Sequence, residues 1–168
     1  MNDPRALSAR ILAGALMAAL VLILFALSFV LVGLSELPPL WAPLAQVTAG
    51  VIVHFVLEQI GYRVPALQPG QEDPGTSYAR FQSAMILRFA LSEAIAIASL
   101  AGAFVVTEGG FLVYVGGMLV SLALMAIHVW PGRRPVERTA AALESGGVRS
   151  PLRETFGFGG QGGAVQQL

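Results

Sequence analysis

Five ionisable residues stand inside apolar stretches of the sequence, where a charge is costly, and four of them come in pairs. His54 and Glu58 lie in one stretch, and Arg88 and Glu93 lie in another. His54 and Glu58 are four residues apart, so on a helix they share one face. A charge at the centre of a bilayer costs about 2.5–3.5 kcal/mol on insertion scales, so it requires a partner, a cavity or a role. In the structural interpretation, Arg88 pairs with Glu58 or His54 and the pair fixes the helix register.

The functional interpretation is a polar pathway for protons or ions. His54, Glu58 and Arg88 would form its mouth, and Glu93, near the middle of its stretch, would load and release the proton. A different possibility involves His54 and His128, because two histidines on facing helices can ligate a b-type haem. Packing of both histidines as polar side chains is the simpler expectation, so we expect no cofactor and no metal.

The stretches that carry these residues are long and apolar enough to be membrane spans. Apolar residues make up 55% of the 168-residue chain and charged residues 12%, whereas a soluble domain carries about 25% charge. The mean hydropathy is +0.71. Crossing the hydrocarbon core takes roughly 20 apolar residues, and four runs qualify: 11–34, 40–60, 82–106 and 111–130. The predicted fold class is all-α, an integral membrane four-helix bundle, and span 11–34 is expected to stay uncleaved.

Charge in the connectors predicts the orientation of the spans. All ten basic residues are arginines, and they lie before span 1, around the 61–81 loop and span 3, or after span 4. The connectors 35–39 and 107–110 contain Glu36 and Glu108 but no arginine. Because positive residues stay on the cytoplasmic side, we expect an inner-membrane protein with both termini cytoplasmic. A four-span domain over 1–132 would precede a tail over 133–168, which is helical in part and disordered from Gly157. The arginines of this tail could touch anionic headgroups.

Small residues predict how the spans pack, because helices in lipid associate where their backbones approach closely. Span 3 has small residues at four-residue spacing, and span 4 has two more; the set is Ala90, Ala94, Ala98, Gly102, Gly117 and Ser121. These residues are predicted to form helix–helix contacts inside one bundle. The alternative is that the span 3 stripe is a docking groove for another subunit.

One segment of span 3 resembles a known family. The run Ala90-Leu91-Ser92-Glu93-Ala94-Ile95-Ala96-Ile97 is similar to the carboxylate-bearing helix of the proteolipid c subunits of rotary ATP synthases. That resemblance covers one helix of four and implies a proton-carrying role for Glu93. More broadly, the all-arginine basic set and the bias toward Ala, Gly and Val resemble small four-helix membrane proteins of high-GC, actinobacterial-type bacteria.

Missing motifs narrow the function. The chain has no cysteine and no lysine, so it lacks a phosphate-binding loop of the G-x-x-x-x-G-K type and any thiolate metal site. It has no H-E-x-x-H or G-x-S-x-G motif, and its neutral net charge gives no footprint for nucleic acid. We therefore expect a non-catalytic structural, accessory or interaction subunit. Its partners would be the lipid bilayer and other membrane subunits or a second copy, with the ion-conducting protein as the alternative.

Overall fold

The structure is a computed structural model that describes residues 3–31, 36–106 and 108–159. Over these residues it consists of helices and connecting segments, with no strand. Six α-helices and one short 3-10 turn follow in order: α1 Pro4–Val30, α2 Trp41–Ile60, α3 Pro74–Val105, α4 Gly110–His128, α5 Arg133–Leu143, a 3-10 turn at Glu144–Gly146, and α6 Leu152–Thr155. The first four are long and apolar enough to cross a membrane. The all-α class and the four candidate spans are thus confirmed.

Two helices begin earlier than predicted, and the reason is the same for both. The Asp73 carboxylate accepts a hydrogen bond from the Thr76 N–H at 2.9 Å, and Pro74 occupies the first turn. Asp at the N-cap and Pro at the first position are strong start signals. As a result, α3 takes in most of the second half of the loop expected over 61–81. The pair Asp3 and Pro4 starts α1 in the same way, and residues 32–34 of the first predicted span lie outside the described residues.

The hairpin of α3 and α4 is the centre of the fold, since these two helices share the most extensive contact. Gly109 allows the reversal between them by adopting a left-handed φ of 67°, which glycine does without steric cost. Farther along, Gly117 packs directly against the Ser99 side chain. The Ser121 hydroxyl accepts a hydrogen bond from the Ala96 N–H at 3.0 Å. Small residues on both helices therefore bring the two backbones together.

The other two long helices attach separately to this hairpin. On the α2 side, the Gln46 amide donates to Ser99 Oγ at 3.0 Å and to the Val113 carbonyl at 2.7 Å. On the α1 side, the Tyr114 hydroxyl donates to the Leu20 carbonyl at 2.9 Å. Among the described residues α1 and α2 have at most a marginal contact with each other. Only 11% of the most apolar window of α2 is buried, so this helix leaves most of its surface available.

The segment after α4 folds back onto one end of the four long helices. α5 lies in the tail that was expected to be helical in part, and its apolar side is buried together with Phe81 and Met85 of α3. The Leu67 N–H donates to the Leu143 carbonyl at 2.8 Å, which ties the connector after α2 to the end of α5. The tail up to Gly159 is therefore packed against the predicted 1–132 domain. The disorder predicted from Gly157 falls largely outside the described residues.

The predicted small-residue stripe requires a correction. Gly117 and Ser121 are buried and Gly102 is half-buried, but Ala90, Ala94 and Ala98 are exposed, so the prediction that these three alanines pack inside the bundle is wrong. The buried face of α3 instead carries Ser92, Ala96, Ser99 and Ala103. Small residues occur on both faces of this helix, so four-residue spacing alone does not identify the buried one.

Candidate functional site

Polar side chains from four helices and one connector meet at the end of the fold where α2 and α4 finish and α5 begins. We call this group the polar cluster; its members are His54, Glu58, Tyr62, Arg88, His128, Arg134 and Arg138. His54 and Glu58 lie on the last two turns of α2, and His128 is the last residue of α4. The sequence thus brings ionisable groups together where two apolar helices, α2 and α4, end.

A chain of three rings forms the inner part of the cluster. His54 Nδ1 lies 3.0 Å from His128 Nε2, and His128 Nδ1 lies 3.0 Å from the Tyr62 hydroxyl oxygen. A neutral imidazole has one N–H and one acceptor nitrogen, so the hydrogen bonds can run in either direction along this chain. His128 is fully buried and His54 is half-buried. Burial raises the pKa of Tyr62, so its hydroxyl stays neutral at physiological pH.

Glu58 connects the cluster to the tail. Its carboxylate accepts hydrogen bonds from Arg134 Nη2 at 2.7 Å and from Arg138 Nη1. His128 Nδ1 lies 3.7 Å from the same carboxylate. Because both arginines belong to α5, these charge-assisted bonds hold α5 against the end of α2. The predicted pairing of Arg88 with Glu58 or His54 is wrong, since the tail supplies the partners of Glu58.

Arg88 is fully buried and has a different set of neighbours. Its Nη1 donates to the Gly61 carbonyl at 3.0 Å. The guanidinium carbon lies 4.7 Å from the centre of the Tyr62 ring and 5.6 Å from that of Phe81, within the range of cation–π attraction. Nε and Nη2 of Arg88 have no hydrogen-bond partner in the described part of the chain. The positive charge is therefore held by one carbonyl and two aromatic faces, without a carboxylate.

Glu93 lies apart from the polar cluster. It is five residues beyond Arg88, which turns it by about 140° around the helix axis. Glu93 is half-buried on a side of α3 that is turned away from Arg88. Of the predicted pathway residues, the structure brings His54 and Glu58 together, joins Arg88 to them through Tyr62, and leaves Glu93 outside.

His54, Glu58 and His128 also form the only described group that could hold a metal ion, with one ligand atom of each within 4.8 Å of the others. Two histidines and a carboxylate are a common zinc ligand set. Here, however, both oxygens of Glu58 are bonded to arginines, and three arginines outnumber one carboxylate. This positive surplus opposes a divalent cation. The haem interpretation is also disfavoured, because ring nitrogens 3.0 Å apart leave no room for a porphyrin between them.

Sequence reasoning missed Tyr62 and the two arginines of α5 as members of the cluster. The bonds from Glu58 to Arg134 and Arg138 join residues 76 and 80 positions apart. No local pattern predicts such pairs. A weak signal is the single acid at the end of an apolar span together with arginines after the last span, since these groups could meet.

Fold and cluster together define a small all-helical protein with four helices that could cross a membrane. Comparisons with protein-family models, with curated proteins and with solved structures found no match.

Proposed function

We propose that this chain is a multi-pass inner-membrane protein, with both termini on the cytoplasmic side, that acts as a non-catalytic accessory subunit. The orientation is supported by the arginines. Arg80, in the first turns of α3, donates to carbonyls of the connector after α2. Arg5 of α1 lies near the start of α3, since a Cβ on Gly75 would be 4.0 Å from Arg5 Nη2. Arg134 reaches Glu58. The arginine-bearing segments thus share one end, as the positive-inside rule requires of a cytoplasmic face.

The opposite end of the fold is free of arginine. Glu36 and Glu108 lie there, close to the α3–α4 reversal, since a Cβ on Gly109 would overlap the backbone of Leu37 and Pro38. This segregation of charge is the pattern expected of four spans, because an even number of crossings leaves both termini on the same side of the membrane.

The partner in this proposal is a transmembrane helix seated in a lateral groove between α2 and α3. Alanines and one glycine line both walls, and the cavity holds about 420 Å³; the small residues are Ala42, Ala45, Ala49, Ala94, Ala98 and Gly102. Without an aqueous hydrophobic drive, helices in lipid associate where small side chains permit close backbone approach. The exposure of this alanine-lined groove is the observation that carries the proposal.

The polar side chains at the bottom of the groove are already satisfied. The Gln46 amide is bonded to Ser99 and Val113. The groove therefore suits an apolar helix better than a polar ligand. The ion-conducting alternative is supported less well, because Glu93 lies on the other side of α3 from the groove and apart from the polar cluster. A wild-type proton flux in liposomes that is lost in Glu93→Gln would favour that alternative.

Cross-linking tests the groove cleanly because the native chain has no cysteine. Ala98→Cys places a thiol on the groove wall, and the neighbouring Ile97→Cys is the control, since Ile97 is 57% exposed on the lipid side. In native membranes a short bis-maleimide should join Ala98→Cys to a partner that is itself given a cysteine, and should leave Ile97→Cys unlinked. The mass of the product tells a second copy from a different subunit.

For a second copy the partner cysteine is supplied by the same substitution. For a different subunit, a photo-reactive maleimide attached at residue 98 replaces the second thiol. Equal products from both positions, or attachment to lipid alone, would contradict a helix in this groove.

A further inference from the structure

Most arginines of the tail are neutralised within the chain. Arg134 and Arg138 are bonded to Glu58, and Arg149 is bonded to Glu154 at 2.6 Å. Arg153 has its pKa raised, because Glu144 and then Glu137 accept its hydrogen bonds. A headgroup that bound the tail would have to compete with these carboxylates. The tail is therefore a poorer site for an anionic lipid than its arginine content indicates.

Uncompensated positive charge lies elsewhere, in a cleft between the connector after α2 and the first turns of α3. This cleft, which we call the basic cleft, holds about 410 Å³ and is lined by Arg63 and Arg80, with Ser83 and Leu87 farther along α3. None of its lining residues carries a carboxylate. Arg63 is exposed to solvent, and its place just after the end of α2 puts it at the end of a span.

Arg80 is fixed in position without being neutralised. Its Nη1 donates to the carbonyls of Pro65 at 2.9 Å and Ala66 at 3.0 Å, and its Nη2 donates to Gln71 Oε1 at 2.8 Å. All three acceptors are uncharged. The guanidinium is thus held at the wall of the cleft by the connector, and its charge is available to an anion. A group preorganised in this way loses little conformational freedom on binding.

The cleft also has an apolar end that points along the spans. Leu87 lies seven residues beyond Arg80 on α3, which is about 10 Å deeper by helical rise. Its side chain is 44% exposed. In the membrane placement proposed above, on which this inference rests, the arginines stand at the headgroup level and Leu87 at the level of the acyl chains. Charge above and apolar surface below match an amphiphile with a negative head.

We propose that the basic cleft binds one anionic glycerophospholipid of the cytoplasmic leaflet. Its phosphate would lie between Arg63 and Arg80, and an acyl chain would follow Leu87. Basic pockets at the cytoplasmic ends of transmembrane helices recognise anionic headgroups in this manner.

Retention of defined lipids by the purified full-length chain tests the proposal. Detergent-solubilised protein is titrated with phosphatidylglycerol or phosphatidylcholine, and the lipid retained per chain is measured by native mass spectrometry. Wild type should retain phosphatidylglycerol preferentially. Arg63→Gln should weaken retention about fivefold, the ratio that about 1 kcal/mol per arginine gives. Arg63→Gln with Arg80→Gln should abolish the preference for phosphatidylglycerol.

The control variant, Arg133→Gln with Arg149→Gln, loses as much charge as the double cleft variant, but from the tail. It should bind phosphatidylglycerol like wild type. The inference is overturned if the tail control loses as much phosphatidylglycerol retention as the cleft variant, or if wild type retains both lipids equally. Inorganic phosphate is the remaining arm, and displacement of phosphatidylglycerol by millimolar phosphate would show a soluble anion site instead. Because Arg63→Gln removes no hydrogen bond of the described fold, its result does not depend on the folding of the Arg80 variant.

Failure of this inference is distinguishable from failure of the proposed function. A detergent-dependent protein that cross-links through Ala98→Cys but shows no lipid preference would refute the basic cleft alone. A chain that stays in solution without detergent would refute the membrane placement itself.

Discussion

Gly117 is a position within the packed face of the α3–α4 hairpin where a single methyl group should be costly. A Cβ placed there would overlap the Ser99 side chain and lie 3.2 Å from the Ile95 carbonyl oxygen. Carbon atoms in contact prefer separations of about 3.5–4.0 Å, so Gly117→Ala should force the two central helices apart. Gly14 on α1 is the matched control, because a Cβ there meets nothing within 4 Å.

The expected magnitude follows from two opposing terms. Replacing a helical glycine by alanine stabilises a helix by roughly 0.5–1 kcal/mol, and Gly14→Ala should show this gain alone. Overpacking in a well-packed core costs about 1–3 kcal/mol. The free energy of unfolding of Gly117→Ala should therefore lie about 1–3 kcal/mol below that of Gly14→Ala.

Far-UV circular dichroism during unfolding in mild detergent measures this difference. The second substitution Ser99→Gly removes the side chain that the new methyl group meets, so the double variant should be more stable than the sum of the two single effects predicts. If Gly117→Ala and Gly14→Ala have the same free energy of unfolding, or if Ser99→Gly does not restore stability to Gly117→Ala, the close approach of α3 and α4 is not as described.

Three further predictions concern the polar cluster and the start of α3. Glu58→Gln removes the anion bonded by two arginines of α5, so limited proteolysis should cut near residue 132 several times faster. The control Glu108→Gln, at the other end of the fold, should be cut like wild type. Equal cleavage of the two variants would contradict the docking of α5 by ion pairs. Hydrogen bonds from Thr76 hold the pKa of Asp73 below its usual value, so the stabilisation by this cap is complete above the unfolded-state pKa of about 3.9 and is lost as the pH falls through the lower folded-state pKa. The gap in unfolding midpoint between wild type and Asp73→Ala should accordingly narrow as the pH falls from 7 toward 2, and a gap that stays constant would argue against the charged cap. Zinc at tens of micromolar should leave the melting temperature of wild type and of His54→Ala equally unchanged, because the cluster already has surplus positive charge; a rise confined to wild type would establish a metal site.

The number and approximate position of the long helices could be predicted from run length alone. Spans 40–60 and 111–130 agree with α2 and α4 to within two residues, because hydropathy changes abruptly at their ends. α1 and α3 start earlier than hydropathy predicts, since their first turns are polar. The Asp-Pro pairs before both helices contain the missing information in the form of a cap and a fixed φ.

Which face of a span is buried could not be predicted, and the reason is physical. A span is apolar on its lipid side as well as on its protein side, so periodic hydropathy carries little information about orientation. Ala94 and Ser99 lie on the same helix, yet one is exposed and the other buried. The candidate site was predicted in part: His54 and Glu58 do share a face and a cluster. Their contacts with Tyr62 and with the arginines of α5 depend on tertiary folding, which for α5 means that the tail folds back onto the long helices. Such an event has no local signature in the sequence.

The orientation of the four helices in the membrane is the claim on which the other proposals depend. Single cysteines at Glu108 and at Arg149, which is 81% exposed, report the two ends of the fold in a chain with no native thiol. Intact cells treated with a membrane-impermeant maleimide should label Glu108→Cys at once and Arg149→Cys only after the membrane is opened. Labelling of Arg149→Cys in intact cells, or of both positions alike, would contradict four spans with a cytoplasmic arginine face.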